Sequence, residues 1–236
     1  MSGPGGGRLP GEGRLPDEGR QPASWVIHCD NHVLVTVKPP NVPSQADVSG
    51  DPDMLSLMKA YVKNRFQKPG QVYLGLLHRL DRPVGGLMVF ARTSKAAARL
   101  SAQFRERTIE KIYWAVVEGD AAEQQTITGE ICHDQKPQEA SLTYRRIEKQ
   151  AGLSLLSVRL HTGRKHQIRI QLSEENLPIW GDARYGKGKS GMQIALFAAG
   201  LSFTHPTAGE RLSFFQKPAP LPPWTFFDAY RGNAIE

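Results

Sequence analysis

Short strand-like runs at irregular spacing most constrain how this chain can fold. Val33, Val35 and Val37 alternate with Leu34, Thr36 and Lys38, and Pro39-Pro40 ends the run, which reads as a strand with its stop. Just before it, "WVIHC" predicts a partner strand joined around Asp30-Asn31-His32. "VYLGLLHRLD" predicts a strand entering a loop, and "GLMVFAR" the strand leaving it. In "KIYWAVVEG", Ile112, Trp114 and Val116 alternate with Tyr113, Ala115 and Val117. Residues 141–147, 153–160, 196–203 and 212–215 add further strands. Helical spacing is confined to three places. Residues 54–66 carry Leu55, Met58 and Val62; "TSKAAARLSAQFRER" can be capped by Thr93 or Ser94 and puts Ala97, Leu100 and Phe104 on one face; "IRIQLSEEN" is the third. Without a regular strand–helix–strand beat, the expected class is α+β. We read it as a single domain whose mixed, mostly antiparallel sheet is flanked by helices and loops.

Outside this region the texture changes. Residues 1–22 are rich in Gly and Pro and cannot bury enough apolar surface to offset the entropy of ordering. The expected organisation is a disordered tail over 1–22, a domain over 23–230 and a short tail over 231–236. The start lacks the apolar core of a secretory signal, and no apolar run approaches the roughly 18 residues that span a membrane. A cytoplasmic protein with no membrane partner is expected. Thirty Lys and Arg against 23 Asp and Glu, a net charge of +7, favour an acidic partner, of which nucleic acid is the commonest. Cys29 and Cys132 have no CxxC spacing, so buried free thiols are expected and no metal site.

Three stretches could carry chemistry. In the first, Asp81 stands between Arg79 and Arg82 and is followed by Pro83-Val84-Gly85-Gly86. The usual meaning of Asp beside Arg is a loop salt bridge. Here glycines that allow close backbone approach, and strands on both sides, would hold a carboxylate rigidly. In the second, Arg164, Lys165, His166 and Arg169 crowd into a basic turn, while Ile168 and Leu172 are apolar at i and i+4. Arg169 would then lie beside an inward face and need a carboxylate, and Asp81 is a candidate. In the third, Tyr113 and Trp114 leave one strand on opposite faces, so one can pack in the core while the other stacks on an unstacked base. A fourth stretch, "ARYGKGKS" at 183–190, is a decoy. It fits a permissive phosphate-loop pattern but lacks the preceding strand and the helix at Lys-Ser, and is expected to be a flexible basic loop.

Taken in order, "HRLDRPVGGLMVFARTSKAA", "KIYWAVVEG" and "TGRKHQIRIQL…LPIWGDARYG" resemble the successive motifs of the RluA-type RNA pseudouridine synthases. The early "VLVTVKPPNVPSQ" and the late "LFAAGLSFTHPTAGERLSF" are similar too, so the resemblance spans about residues 24–216. It implies the pseudouridine synthase catalytic fold, with Asp81 as the catalytic aspartate and Arg169 as the basic residue paired with it. It also implies that Tyr113 stacks on the flipped base, that Arg79 enters the RNA stack where the uridine leaves, and that Ile168 packs at the active site. Two departures stand out: Val84-Gly85-Gly86 replaces the usual Thr-Ser-Gly, and Gln171 stands where a His often follows. No small RNA-binding domain is expected ahead of the catalytic region.

The implied reaction detaches uracil from C1′, turns it and rejoins it through C5, with no metal or other cofactor. It needs an ionised carboxylate to attack the sugar or take its 2′ proton. A guanidinium beside an aspartate favours the charged form. The expected partner is RNA, ribosomal or transfer, bound by a monomer. Arg82, Arg164 and Lys165 are the first candidates for phosphate contacts, with Arg92, Lys95, Arg99, Arg105 and Arg107 behind them. A non-catalytic RNA-binding protein of the same fold is the rival reading, and it would have lost Asp81, Tyr113 or Arg169. All three are present.

Overall fold

The computed structural model describes residues 22–133 and 136–232. β1 (Val26–Cys29) and β2 (Val33–Lys38) form a hairpin. Its turn is set by Asp30, whose Oδ1 accepts from the N–H groups of His32 (2.6 Å) and Val33 (2.8 Å). Asp53 caps α1 (Met54–Arg65) by accepting from the Ser56 N–H at 3.1 Å. The strand expected from "VYLGLL" shrinks to β3 (Gly75–Leu76), because the chain leaves the sheet after pairing Leu76 with Phe90. The His78 Nε2 then accepts the N–H of Val89 at 3.1 Å. β4 (Gly85–Ala91) follows, then α2 (Ser94–Arg105), capped by Thr93 through the Ala96 N–H.

The second half supplies β5 (Glu110–Glu118), β6 (Gln124–His133), β7 (Lys136–Gln150), β8 (Leu153–Leu160), α3 (Gln167–Glu174), β9 (Leu196–Thr204), β10 (Arg211–Phe215) and the single turn α4 (Asp228–Arg231). The ten described strands make one sheet in the order β1-β2-β4-β9-β5-β8-β7-β6, with β10 added to β9 and β3 to β4. Among the described residues the named strands all pair antiparallel except β4 with β9, which meet in parallel only at Gly85↔Phe197 and Gly86↔Ala198. Gly86 has φ +127°, and a Cβ there would lie 2.4 Å from the backbone N and O of Ala198. A side chain would therefore wedge β4 from β9 directly behind the Asp81 loop.

β4 is buried along its whole length because both faces are covered. Val33, Val35, Leu87, Val89 and Ala91 pack with Ala96 and Leu100 of α2. Leu34, Met88 and Phe90 belong to the core that includes Met54, Met58 and Val62 of α1. Sequence spacing had put Leu55 on the inner face of α1 and Ala97 and Phe104 on that of α2; all three are only partly buried. The α+β class and the mostly antiparallel sheet agree with the expectation from the sequence.

Several expectations need correction. β6 was not foreseen, and β7 starts at Lys136 instead of residue 141. Cys132 is exposed and Cys29 half-buried, so neither is a buried thiol. The boundary expected at 230 falls inside α4. The expected N-terminal tail lies, except for Pro22, outside the described residues, as do residues 233–236. No described helix is long and apolar enough to cross a membrane.

Candidate active site

A cavity of about 1100 Å³ opens between the loop after β3, the edge of β5 and the turn before α3. It exceeds the 300–1,000 Å³ typical of small-ligand pockets, so it has room for more than one nucleotide. Asp81, Arg79, Tyr113, Arg164, Lys165, Ile168 and Arg169 all line it. Residues up to ninety positions apart in sequence are therefore brought to one cavity by the sheet.

The loop carrying Asp81 is stapled to its surroundings. Ser44 Oγ donates to the Leu80 carbonyl (2.8 Å) and accepts the Leu80 N–H (3.1 Å). The Asn41 N–H donates to the Arg82 carbonyl at 2.8 Å, and the Val84 N–H closes a turn on the Asp81 carbonyl at 3.0 Å. Beneath it Lys38 is wholly buried, and its Nζ donates to the carbonyls of Pro39 (3.0 Å), Val42 (2.6 Å) and Arg82 (3.0 Å). Burial draws the pKa of Lys38 down to about 7 against the pull of the Asp81 charge. Three carbonyl acceptors match the three N–H bonds of its ammonium form.

The second wall is set by buried glutamines. Gln167 Oε1 accepts from Thr162 Oγ1 (2.8 Å) and the Arg164 N–H (3.0 Å), and its Nε2 donates to the Ser141 carbonyl and to Gln171 Oε1 (3.0 Å each). Gln171 continues the ladder to the Ala140 carbonyl at 3.2 Å. His166, in the left-handed conformation at φ +57°, turns the chain into α3. Ile168 and Leu172 bury themselves as expected, at 4% and 0% exposure.

Arg169 thereby reaches Asp81, but mainly it holds another carboxylate. Its Nη1 is 3.4 Å from Asp81 Oδ2. Its Nε and Nη2 donate to Asp182 Oδ2 and Oδ1, each at 2.8 Å. Asp182 is 1% exposed and also accepts the N–H groups of Arg184 (2.9 Å) and Tyr185 (3.1 Å). Burial pushes the Asp182 pKa up, yet Arg169 and the two N–H groups outweigh it and hold the carboxyl below its ordinary value. His166 Nε2 lies 3.7 Å from Asp81 Oδ2, and its Nδ1 meets Tyr185 Oη at 2.8 Å. Burial lowers the His166 pKa. Tyr113, 8% exposed, is pushed well above the usual phenol range, by burial first and by the Asp81 charge second. It is a neutral ring in this wall.

The basic rim divides into free and engaged cations. Arg79, Arg105, Arg107 and Lys165 border the cavity without an ion-pair partner among the described residues. Arg82 does not share that freedom: it pairs with Asp51 and Asp47 and donates to Ser49 Oγ at 2.8 Å. Arg164 Nε donates to the Glu139 carbonyl at 3.0 Å. Arg92 is buried, donates to the Asp30 carbonyl and lies 4.2 Å over the Phe66 ring, so it is no phosphate contact. Lys95 and Arg99 do not line the cavity. The segment expected to be a flexible basic loop is anchored at its start, where the Gly186 and Gly188 N–H groups donate to the Asp182 carbonyl (3.0 and 3.1 Å).

The family model for RNA pseudouridylate synthase matches residues 32–174, more than half of the chain. The chain belongs to this family. Within the pseudouridylate synthase span fall Asp81, Tyr113 and Arg169; Asp182 lies beyond it. The synthase relatives include "Ribosomal large subunit pseudouridine synthase D" of Zymomonas mobilis, 30% identical over 80% of this chain and 67% of that protein. Its namesake in Neisseria meningitidis serogroup A is 32% identical over 84% of this chain and 58% of that protein. The chain thus spans between about half and two thirds of the length of the first curated relatives. A solved structure of "Human RNA Pseudouridylate Synthase Domain Containing 4" superposes with a TM-score of 0.71 over 84% of this chain and 90% of that one. At 22% identity this likeness shows the fold.

Asp182, Lys38 and Lys111 escaped the sequence reading. Asp182 is hidden in a Gly-rich basic run. The one cue to Lys38 was a charge placed on a strand otherwise apolar enough to be buried.

Proposed function

We propose that this chain isomerises uridine to pseudouridine in RNA, with Asp81 as the reactive carboxylate. The observation that carries the reading is the shared cavity: Asp81 beside Arg169, with Tyr113 lining the same space and a basic rim around it. Asp81 would attack C1′ or take the 2′ proton. By the first route the bond from Asp81 to C1′ breaks again as C5 joins C1′, and by the second the 2′ proton is returned. Either way uracil leaves through N1, turns and bonds through C5, the C5 proton passes to solvent and N1 takes one up. Unstacking the uridine costs a few kcal/mol, which Tyr113 stacking on the base and Arg79 filling the vacated space would offset. Neutral Tyr113 suits stacking better than proton abstraction. Ile168 would pack against the base, and Lys165 and Arg164, with Arg82 once RNA phosphate displaces its carboxylates, would hold the backbone.

Relatives named for the ribosomal large subunit support large-subunit rRNA as the first substrate to test, with transfer RNA as the competitor. We take the active form to be a cytoplasmic monomer whose catalytic unit covers about residues 23–230. The test is to incubate the purified protein with unmodified rRNA and tRNA transcripts and map pseudouridine by mass spectrometry. New pseudouridine at one or a few rRNA uridines is expected. RNA binding without any pseudouridine would replace this reading with that of a non-catalytic RNA-binding protein.

A further inference from the structure

Lys111 lies two positions before Tyr113 on β5. The two side chains therefore leave the same face of the strand, and both line the cavity. The Lys111 ammonium runs between the two loops that make the cavity walls. On one side a Cβ added at Gly163 would stand 3.4 Å from its Nζ. On the other its charge bears on His78, whose imidazole burial keeps neutral with a pKa of about 3.

Lys111 is half-buried, and its Nζ has neither a hydrogen-bond acceptor nor a carboxylate partner among the described residues. The acid next to it in sequence, Glu110, is taken by Arg159 (3.2 Å) and Arg211 (3.6 Å). Partial burial depresses the pKa of Lys111. A cation removed from water without a partner is costly unless something later supplies an anion. Lys38 provides the contrast, since the fold gives its Nζ three carbonyl acceptors. The fold gives Lys111 none and aims it into a space that opens beside Tyr113.

We propose that Lys111 receives a phosphodiester oxygen of the nucleotide whose base enters the cavity, so that Lys111 and Tyr113 grip the backbone and base of one residue from a single strand. This rests on the function proposed above and names the contact that registers the nucleotide over Asp81. A phosphodiester is the anion that an RNA brings with every nucleotide, and a full negative charge offsets the desolvated ammonium better than a uracil carbonyl does.

The experiment is a chemical double-mutant cycle with the full chain. Its probe is an RNA stem-loop carrying a uridine that the wild type converts, made also with an uncharged methylphosphonate on the 5′ or the 3′ side of that uridine. Should no uridine be converted, a stem-loop with a uridine loop serves for binding. Lys111→Met should weaken binding to the all-phosphate RNA about tenfold, near the worth of one charge-assisted hydrogen bond. On one of the two methylphosphonate RNAs, wild type and Lys111→Met should bind alike, and Lys111→Arg should behave close to wild type throughout. An equal loss on all three RNAs, or no loss on any, would overturn the proposal. Because the cycle is read in Kd, failure to form pseudouridine would count against the reaction while Lys111 is still judged on binding.

Discussion

Two carboxylates share the guanidinium of Arg169, and their surroundings differ in kind. Asp182, in the turn after α3, is 1% exposed and accepts four hydrogen bonds of 2.8–3.1 Å, two from Arg169 and two from backbone N–H groups. Asp81, in the loop before β4, keeps 24% of its side chain open, and its Oδ2 meets only Arg169 at 3.4 Å and His166 at 3.7 Å among the described residues. Its Oδ1 has no partner among the described residues. A buried carboxylate with both oxygens engaged serves the fold. One held by its backbone, with lone pairs facing a cavity, is available to a substrate. Asp182 thus aims Arg169, and Arg169 sets its guanidinium 3.4 Å from Asp81.

The largest expected effect comes from removing the shared partner. Arg169→Met strands the Asp182 charge in a buried site, and breaking such a pair costs about 3–5 kcal/mol. Urea denaturation should show that loss, and adding Asp182→Asn to Arg169→Met should recover part of it. Full additivity of the two changes would separate the residues.

Asp182→Asn alone keeps shape and should cost about 1–3 kcal/mol, the range for disturbing a buried hydrogen-bonded group. The pH dependence has a definite sign. The folded-state pKa of Asp182 is depressed, so its stabilisation is present above the ordinary aspartate value near 3.9 and is lost as pH falls through the folded value. The stability gap between wild type and Asp182→Asn should hold from neutral pH to about pH 4 and close in more acidic solution. A gap that shrank between pH 7 and 5 would point to another group.

For Tyr113, Ala should weaken RNA capture by ~1–3 kcal/mol, the worth of stacking one base, while Phe should stay near wild type in single-turnover rate. A large loss in Tyr113→Phe would give the hydroxyl a proton-transfer role. The smallest effect belongs to Arg82, whose exposed pairs with Asp47 and Asp51 are worth about 0–1 kcal/mol. Arg82→Ala should raise the Kd for RNA less than Arg79→Ala does; the reverse order would mean that RNA displaces the Asp47 and Asp51 contacts at little cost.

The Asp81 side of the comparison was legible in the sequence and the Asp182 side was not, for a physical reason. Tyr113 and Ile168 sit on segments whose period declares their structure, so the faces they occupy follow from the period. Asp81 was marked by its setting between two arginines and ahead of Gly85-Gly86 and by the family resemblance. Asp182 is marked only by a long-range bond to Arg169, and its neighbours Gly181, Arg184 and Lys187 read as loop. The same limit hid β6. Its buried residues include Ile127 and Ile131, whose alternation with Thr126, Thr128 and Glu130 is interrupted by Gly129, leaving only two apolar side chains to mark the inner face. Register with β7 makes it a strand. Gln171, a departure from the family pattern, ties α3 to the sheet through hydrogen bonds to the carbonyls of Ala140 in β7 and Ile127 in β6.

The most direct test sets Asp81→Asn against Asp182→Asn in one set of assays: single-turnover pseudouridine formation at saturating RNA, Kd for the same RNA, and Tm. Asp81→Asn should form no detectable pseudouridine while keeping the wild-type Tm and nearly the wild-type Kd. Asp182→Asn should lose Tm and retain a reduced rate. Substantial turnover by Asp81→Asn, or a fall in its Tm as large as that of Asp182→Asn, would contradict the assignment of chemistry to one carboxylate and architecture to the other.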